Sequence, residues 1–343
     1  MTNDIEKMHI IHRLKSAFQI NDLVVKNLLK QVDPDKSQYA DRFFGGYTAE
    51  DRFGLLFGAL PWVVFLHGVN QEQIPETSKE EYQVPDYIVC FETSKKQHIP
   101  VLIEVKCVSG EKTTLHIMKR QLEGLQLYSD KLGIDLLFAI YWEKAKIWTL
   151  NTPDILEMKN KELKINFENS FKNDLSVIFG DITFLVNRLS RLTTFDSSVK
   201  DSLSVHEKYG AIISDKAGLS DTDMIEIEPV ESAIIDSYIK MVEMRTSSQG
   251  SRTEMLESLK NTYMLKLSTI IMHHLAIMDA DITPENAMMS RRIVIEFMKK
   301  IAIERSFAIP STYTTKSDAI FRVTFEGTWV LENYFKVTGT KVT

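Results

Sequence analysis

The chain has 343 residues, enough for two domains or one large one. Its 44% hydrophobic and 26% charged residues are ordinary for a soluble globular protein, and no apolar run approaches a membrane-spanning length. A formal net charge of −6 excludes an indiscriminate nucleic-acid coat protein, and the two cysteines, Cys90 and Cys107, exclude a disulfide framework or a cysteine zinc site. The opening Met-Thr-Asn-Asp-Ile-Glu lacks the basic and apolar regions of a secretory leader, so a reducing cytoplasm is the expected setting.

Residues 4–31 read as two amphipathic helices, with Ile5, Met8, Ile11 and Leu14 spaced for one face. Asp33-Pro34-Asp35-Lys36-Ser37 breaks them from the core. Thr48 reads as an N-cap with Asp51 in the capping-box position, opening a helix with Phe53, Leu56, Phe57 and Leu60 on one stripe. Gly54 and Gly58 would let this helix approach a sheet closely. A strand is predicted over 62–67, then strands over 84–90 and 100–106 joined by a turn at 93–96. A helix over 113–131 closes at Gly133. Strands come next at 136–141 and 146–150, then a helix over 168–192 with Phe171, Leu175, Ile178, Phe179, Ile182, Leu185 and Leu189 as its apolar stripe.

A shift to Ser, Thr, Asp and Gly over 193–229 reads as a linker or domain boundary. Helices are expected over 230–246, 253–278 and 284–305, the first two separated by Ser247-Ser248-Gln249-Gly250-Ser251 and the third opened by Pro284. The expected organisation is therefore N-terminal helices over 1–44, a core over 45–192, the boundary over 193–229 and a mainly helical C-terminal domain over 230–343. A further strand is expected over 319–325. Arg291-Arg292 and Lys299-Lys300 make either a DNA-reading side or a solvated charged face. His273-His274 lacks an acidic partner at ligand spacing and reads as packing or surface. No internal repeat occurs, and no Gly-x-x-x-x-Gly-Lys-Ser/Thr run supplies an ATPase.

Chemistry concentrates in residues 84–106. Val84-Pro85-Asp86-Tyr87-Ile88-Val89-Cys90 and Pro100-Val101-Leu102-Ile103-Glu104-Val105-Lys106 are apolar strands, each carrying an acid. Glu104 and Lys106 share one face, about 6.6 Å apart along the strand. Val-Leu-Ile-x-Val is built for burial, and a lone carboxylate there is costly unless a cation meets it. Asp86 and Glu104 on neighbouring strands suit one divalent metal with Lys106 beside it, the equipment for metal-assisted phosphodiester hydrolysis. Singly, the bland readings stand too. Asp86 after Pro85 suits a turn, and Glu104 with Lys106 suits an exposed ion pair on an edge strand.

Pro85-Asp86 and Glu104-Val105-Lys106, within a helix, three strands, a helix and a strand over about 45–150, resemble the PD-(D/E)XK nuclease superfamily. The resemblance implies an α/β restriction-endonuclease-like core, a central mixed sheet flanked by helices. It implies Mg²⁺, with Mn²⁺ as substitute, held by Asp86, Glu104 and the Val105 carbonyl, and Lys106 as the group that holds the attacking water. The first-helix acid of the family matches Glu50, for which a helix-dipole contact is the plain alternative. Some branches carry Gln-x-x-x-Tyr on the next helix. Gln121 and Tyr128 lie on one face there, but Gly124 stands four before Tyr128, a departure from that pattern. Lys119 and Arg120 suit phosphate contacts or a solvated face. The implied activity is a DNA endonuclease of restriction, phage defence, transposition or repair, with RNA open as substrate. A nonenzymatic subunit of the same fold is the alternative. A homodimer or partner protein is expected through 230–343, and no membrane.

Overall fold

Four adjacent strand segments are apolar enough to be buried on both faces, and with a fifth, more exposed strand they build one sheet. In the computed structural model, which describes residues 40–73, 75, 78–92, 96–159, 162–186, 188–199, 205–228, 231–232, 235–236, 239–259, 263–277, 283–299 and 309–311, the chain divides into two compact units. Among the described residues the first is 40–58 with 62–179, and the second is 59–61 with 180 onward.

The first unit opens with α1 (Ala40–Gly58). The helix begins well before Thr48, so Thr48 is inside it and is no cap. No proline interrupts 40–58, and a helix once nucleated extends cheaply. Phe53, Leu56 and Phe57 are buried as the stripe requires. The Phe53 and Phe57 rings stack at 4.3 Å, and both reach the Trp148 ring. Gly54 gives the expected close approach, because a Cβ there would sit 3.1 Å from the Tyr87 hydroxyl; a Cβ on Gly58 would meet nothing.

The sheet comes next: β1 (Val63–Gly68), β2 (Tyr87–Glu92), β3 (His98–Val108), then, past β4 (Thr114–Met118) and α2 (Lys119–Leu132), β5 (Leu136–Trp142) and β6 (Ile147–Asn151). Its order is β1-β2-β3-β5-β6. Only the β3–β5 pair is parallel, so the sheet is mixed, and β4 with α2 forms the crossover. Leu102, Phe138, Ile140 and Trp142 pack on the α2 side with Leu122 and Leu125. The helix predicted over 113–131 is corrected at its start. Residues 114–118 bury alternate side chains, Leu115 and Ile117 inward and His116 outward, the period of a strand. β4 pairs β8 (Glu162–Asn166), which pairs β7 (Glu157–Lys159). Gly133 ends α2 at φ 63, as read from the sequence.

The helix predicted over 168–192 survives only as α3 (Phe167–Lys172) and a tight turn at Ser176–Phe179. Gly180 takes φ 89 and ends the run.

The second unit is largely strand. β9 (Thr183–Val186), β10 (Ser190–Asp196), β11 (Val205–His206), β12 (Gly210–Ser220), β13 (Asp223–Glu226), β14 (Val242–Gln249), β15 (Arg252–Ser258) and β16 (Tyr263–Lys266) lead to α4 (Leu267–Ile277), α5 (Pro284–Lys299) and β17 (Ile309–Ser311). β11-β12-β10-β15-β14 form an antiparallel sheet to which β13 adds beside β12, and β16-β9-β17 form another. The expected linker over 193–229 is therefore strand among the described residues. Thr and Ser suit a pleated surface as well as a loop, and Thr193, Phe195, Ala211 and Ala217 are buried.

The mainly helical expectation for 230–343 is corrected likewise. Residues 231–232 and 235–236 are helical, but 242–249 and 252–258 pair as a hairpin through Gly250 at φ 63. The segment read as a separator between helices is that hairpin's turn. α4 keeps the end of the second expected helix, and α5 starts at Pro284 as predicted. The expected helices over 4–31 and the strand over 319–325 lie outside the described residues. Among the described residues no helix is long and apolar enough to cross a membrane.

Candidate active site

The β2–β3 register opposes Tyr87 to Ile103, which sets Asp86 level with Glu104 at the end of the pair. The Val105 N–H donates to Asp86 Oδ2 at 2.7 Å, so the acid of one strand is clamped to the backbone of the next. An N–H and C=O of one strand residue point to the same side, so the Val105 carbonyl also faces the Asp86 side. Glu104 is buried, 3% exposed, on the α2 side of the sheet. Lys106 Nζ meets Glu104 Oε1 at 2.5 Å, the same-face pair expected from strand periodicity. β3 lies between β2 and β5, so the exposed edge-strand reading of this pair does not hold.

Glu50 reaches the cluster from α1. The Tyr87 hydroxyl donates to the Glu50 carbonyl oxygen at 3.0 Å, tying the helix to the residue after Asp86. The field at Glu50 comes from the cluster. Burial pushes its carboxyl up to about 7, opposed by Lys106 and reinforced by Glu104 and Asp51. Burial also holds the Asp86 carboxyl well above its ordinary range. Glu104 and Glu50 add to that, while Lys106 and the Val105 N–H oppose it. Burial alone would lower the Lys106 ammonium, but Glu104, Asp86 and Glu50 outweigh it and raise it. Three carboxylates thus share one lysine, an arrangement short of positive charge.

The donors are carboxylate and carbonyl oxygens, the chemistry Mg²⁺ prefers. Among the described residues no group of three His, Cys, Asp or Glu is gathered to hold a metal. Among the described residues Asp86 and Glu104, level with each other on paired strands, are the carboxylates offered, and two carboxylates completed by waters are a fitting Mg²⁺ set.

On α2 the expected residues separate. Gln121 Nε2 approaches Glu104 Oε1 at 3.4 Å, so Gln121 belongs to the cluster. Tyr128 packs against the apolar core beneath the same helix. Gly124 is where α2 passes over Gln83: a Cβ would sit 3.1 Å from the Gln83 N, so a glutamine there requires that backbone to give way. Lys119 and Arg120 are exposed in the first turn, which has no acid and no side-chain cap. Lys119 pairs with Glu123 at 3.2 Å. Tyr87 went unremarked in the sequence. Its period-2 offset from Asp86 marks it as facing the other side of the sheet, but its bond to a helix carbonyl has no sequence signal.

The fold and cluster together define an α/β chain whose central strand carries an acid and a lysine beside a second strand's acid. Comparison with protein-family models and with curated proteins gives no match. Among solved structures, this chain is similar to Hjc, a Holliday junction resolvase of the archaeal hyperthermophile Archaeoglobus fulgidus. The likeness has 17% identity and a TM-score of 0.26, covering 34% of this chain and 85% of that one. A likeness of that degree concerns part of the chain trace and carries nothing about chemistry.

Proposed function

We propose that this chain is a metal-dependent nuclease that hydrolyses phosphodiester bonds of DNA. The observation that carries the reading is the joining of Asp86, Glu104 and Lys106 on two paired inner strands, with Glu50 in the same field. Three carboxylates with one lysine among them, inside an apolar sheet, are costly and need a reason. Bound Mg²⁺, replaceable by Mn²⁺, would lower the pKa of a water and neutralise charge developing on the phosphate.

The chain's own residues do the remainder. Asp86, fixed by the Val105 N–H, and Glu104, fixed by Lys106 and Gln121, present the oxygens that hold the ion, with the Val105 carbonyl beside them. Lys106 holds the attacking water and takes up charge on the phosphate oxygens. Glu50 orients a water of the same group. Lys119 and Arg120, at a helix start without an acid, take flanking phosphates. A role in restriction, phage defence, transposition or repair fits such an enzyme in a cytoplasm. RNA presents the same phosphates, and residues 230–343 are the part we assign to a second copy or a partner protein.

The test is plasmid cleavage by the full chain with Mg²⁺, Mn²⁺ or EDTA, beside Glu104→Ala. Metal-dependent cutting that the variant loses is the expected result. Equal cutting by both proteins would sink the site. No cutting under any condition would favour a nonenzymatic subunit of the same fold.

A further inference from the structure

The two carboxylates of the proposed metal site come from different strands, and one face of α2 touches the approach to both. Gln121 turns toward Glu104, with Nε2 at 3.4 Å from Oε1. One turn further along the same face, Gly124 is buried against the segment that leads into Asp86. A Cβ on Gly124 would sit 3.1 Å from the Gln83 N and 3.3 Å from the Gln83 Cβ, and Gln83 lies just ahead of Val84-Pro85-Asp86.

The segment under Gly124 is tied on both sides. The Tyr82 N–H donates to the Ser78 carbonyl at 2.8 Å, and the Tyr82 carbonyl accepts from Gln73 Nε2 at 3.4 Å. Beyond Gln83, the Pro85 carbonyl accepts from Gln71 Nε2 at 3.2 Å, and the Asp86 carbonyl accepts from the Val69 N–H at 2.8 Å. A backbone held this way resists displacement, because a shift loosens several hydrogen bonds together. Part of any displacement caused by a side chain at 124 therefore passes to α2. The helix carries Gln121 with it, and a contact already 3.4 Å long has little left to lose. Glycine weakens a helix interior, so its place in the middle of α2 has this close approach as its reason.

We propose that Gly124 is a positioning residue of the metal site. It lets α2 seat on the segment entering Asp86, and that seating brings Gln121 to Glu104. The inference rests on the nuclease reading and adds to it the contact that keeps one ligand's partner in place. Gly124 acts through Gln121 and touches neither the ion nor the substrate.

The test is calorimetric titration of Mn²⁺ into the full chain. Gln121→Leu and Gly124→Ala should each weaken binding about tenfold, the cost of losing a ligand's outer partner. Gly124→Ala made in the Gln121→Leu background should change the affinity by less than about twofold, because both changes remove the same contact. Gly58→Ala, whose Cβ would meet nothing, should bind Mn²⁺ as the wild type does. An unchanged affinity in Gly124→Ala, or an equal loss with and without Gln121, would overturn the positioning role. An equal loss in Gly58→Ala would overturn it too, as would wild-type affinity in Gln121→Leu, whether or not Gly124→Ala folds. In each of those cases Mn²⁺-dependent plasmid cutting by the wild type leaves the nuclease reading standing. A wild-type chain that takes up no Mn²⁺ and cuts no plasmid removes both.

Discussion

The backbone N–H of Val105 donates to the Asp86 carboxylate at 2.7 Å, so the residue between Glu104 and Lys106 fixes the acid of the neighbouring strand. The position of Asp86 thus depends on β3 as much as on its own strand. Asp86→Asn keeps a side chain of the same shape but loses the anion. It should weaken Mg²⁺ or Mn²⁺ binding about tenfold or more while the fold is retained, since outright loss of a ligand charge exceeds the effect of its outer partners. Calorimetric titration of metal into the variant checks this, and an unchanged isotherm would remove Asp86 from the ligand set.

Among the described residues Lys106 is the cation inside the carboxylate group, and its side chain is 23% exposed against 3% for Glu104. Its position suits chemistry more than packing. Lys106→Ala should abolish cleavage and leave the circular dichroism spectrum native. Its thermal midpoint should fall, because Glu104 then loses its partner. Full turnover in this variant would exclude Lys106 from the mechanism.

Glu50 links the site to pH. Its carboxyl titrates at about 7 in the folded chain against an ordinary 4.5, so the folded state binds this proton more tightly than the unfolded state does. Stability is therefore highest where Glu50 is protonated and falls as pH rises from about 4.5 through about 7. The interval corresponds to at most about 3 kcal/mol, less because Glu50 shares its field with Asp86 and Glu104. Thermal unfolding in EDTA at pH 5 and pH 8 should show this loss in the wild-type chain, and Glu50→Gln should remove most of it. A metal ion should restore the wild-type midpoint at pH 8. An identical drop in Glu50→Gln would assign the effect elsewhere.

Gly54 and Tyr87 form a mechanical link to that acid. A methyl at residue 54 would meet the Tyr87 hydroxyl at 3.1 Å, tight enough that the ring must give. The ring holds the Glu50 carbonyl, so the displacement is passed to the helix segment bearing Glu50. Gly54→Ala should lower kcat more than Tyr87→Phe does, although alanine favours a helix over glycine by about 1 kcal/mol. Tyr87→Phe removes one hydrogen bond, about 1 kcal/mol of stability. Kinetics of both variants beside their melting curves would settle the order, and a Gly54→Ala variant with wild-type kcat would refute the link.

The grouping of Asp86, Glu104 and Lys106 was legible in the sequence because it is local. Asp86, Glu104 and Lys106 each sit in an apolar strand, and period-2 alternation alone places Glu104 and Lys106 on one face. The Val105 bond to Asp86 and the Gln121 approach to Glu104 are long-range, set by register and helix docking, and no spacing encodes them. The first unit also read well, since its long apolar strands leave little ambiguity. The second did not. Residues 242–258 combine polar side chains with a glycine turn, a pattern shared by a broken helix and a hairpin, and pairing with β10 decides between them. The apolar run from Phe171 to Leu189 suits either period, and Gly180 at φ 89 chose the break.

The second unit holds its own buried charge. Arg191 is 3% exposed, and its Nε and Nη2 donate to Asp215 at 2.8 and 2.6 Å. Asp236 and Ser232 take further donors, so the guanidinium is well satisfied. Removing one partner of a buried pair leaves the other charge uncompensated, which costs about 3–5 kcal/mol. Asp215→Ala should approach the lower end of that range, because Asp236 and Ser232 remain. Replacing Arg191 and Asp215 together by Met and Leu should cost less than the single change, since no buried guanidinium is left without Asp215, and Asp236, the nearer of the two acids that lose the cation, is open to water. Denaturant unfolding of the three proteins measures both. A double variant less stable than Asp215→Ala would mean that the pair stabilises the unit beyond the cost of its own burial.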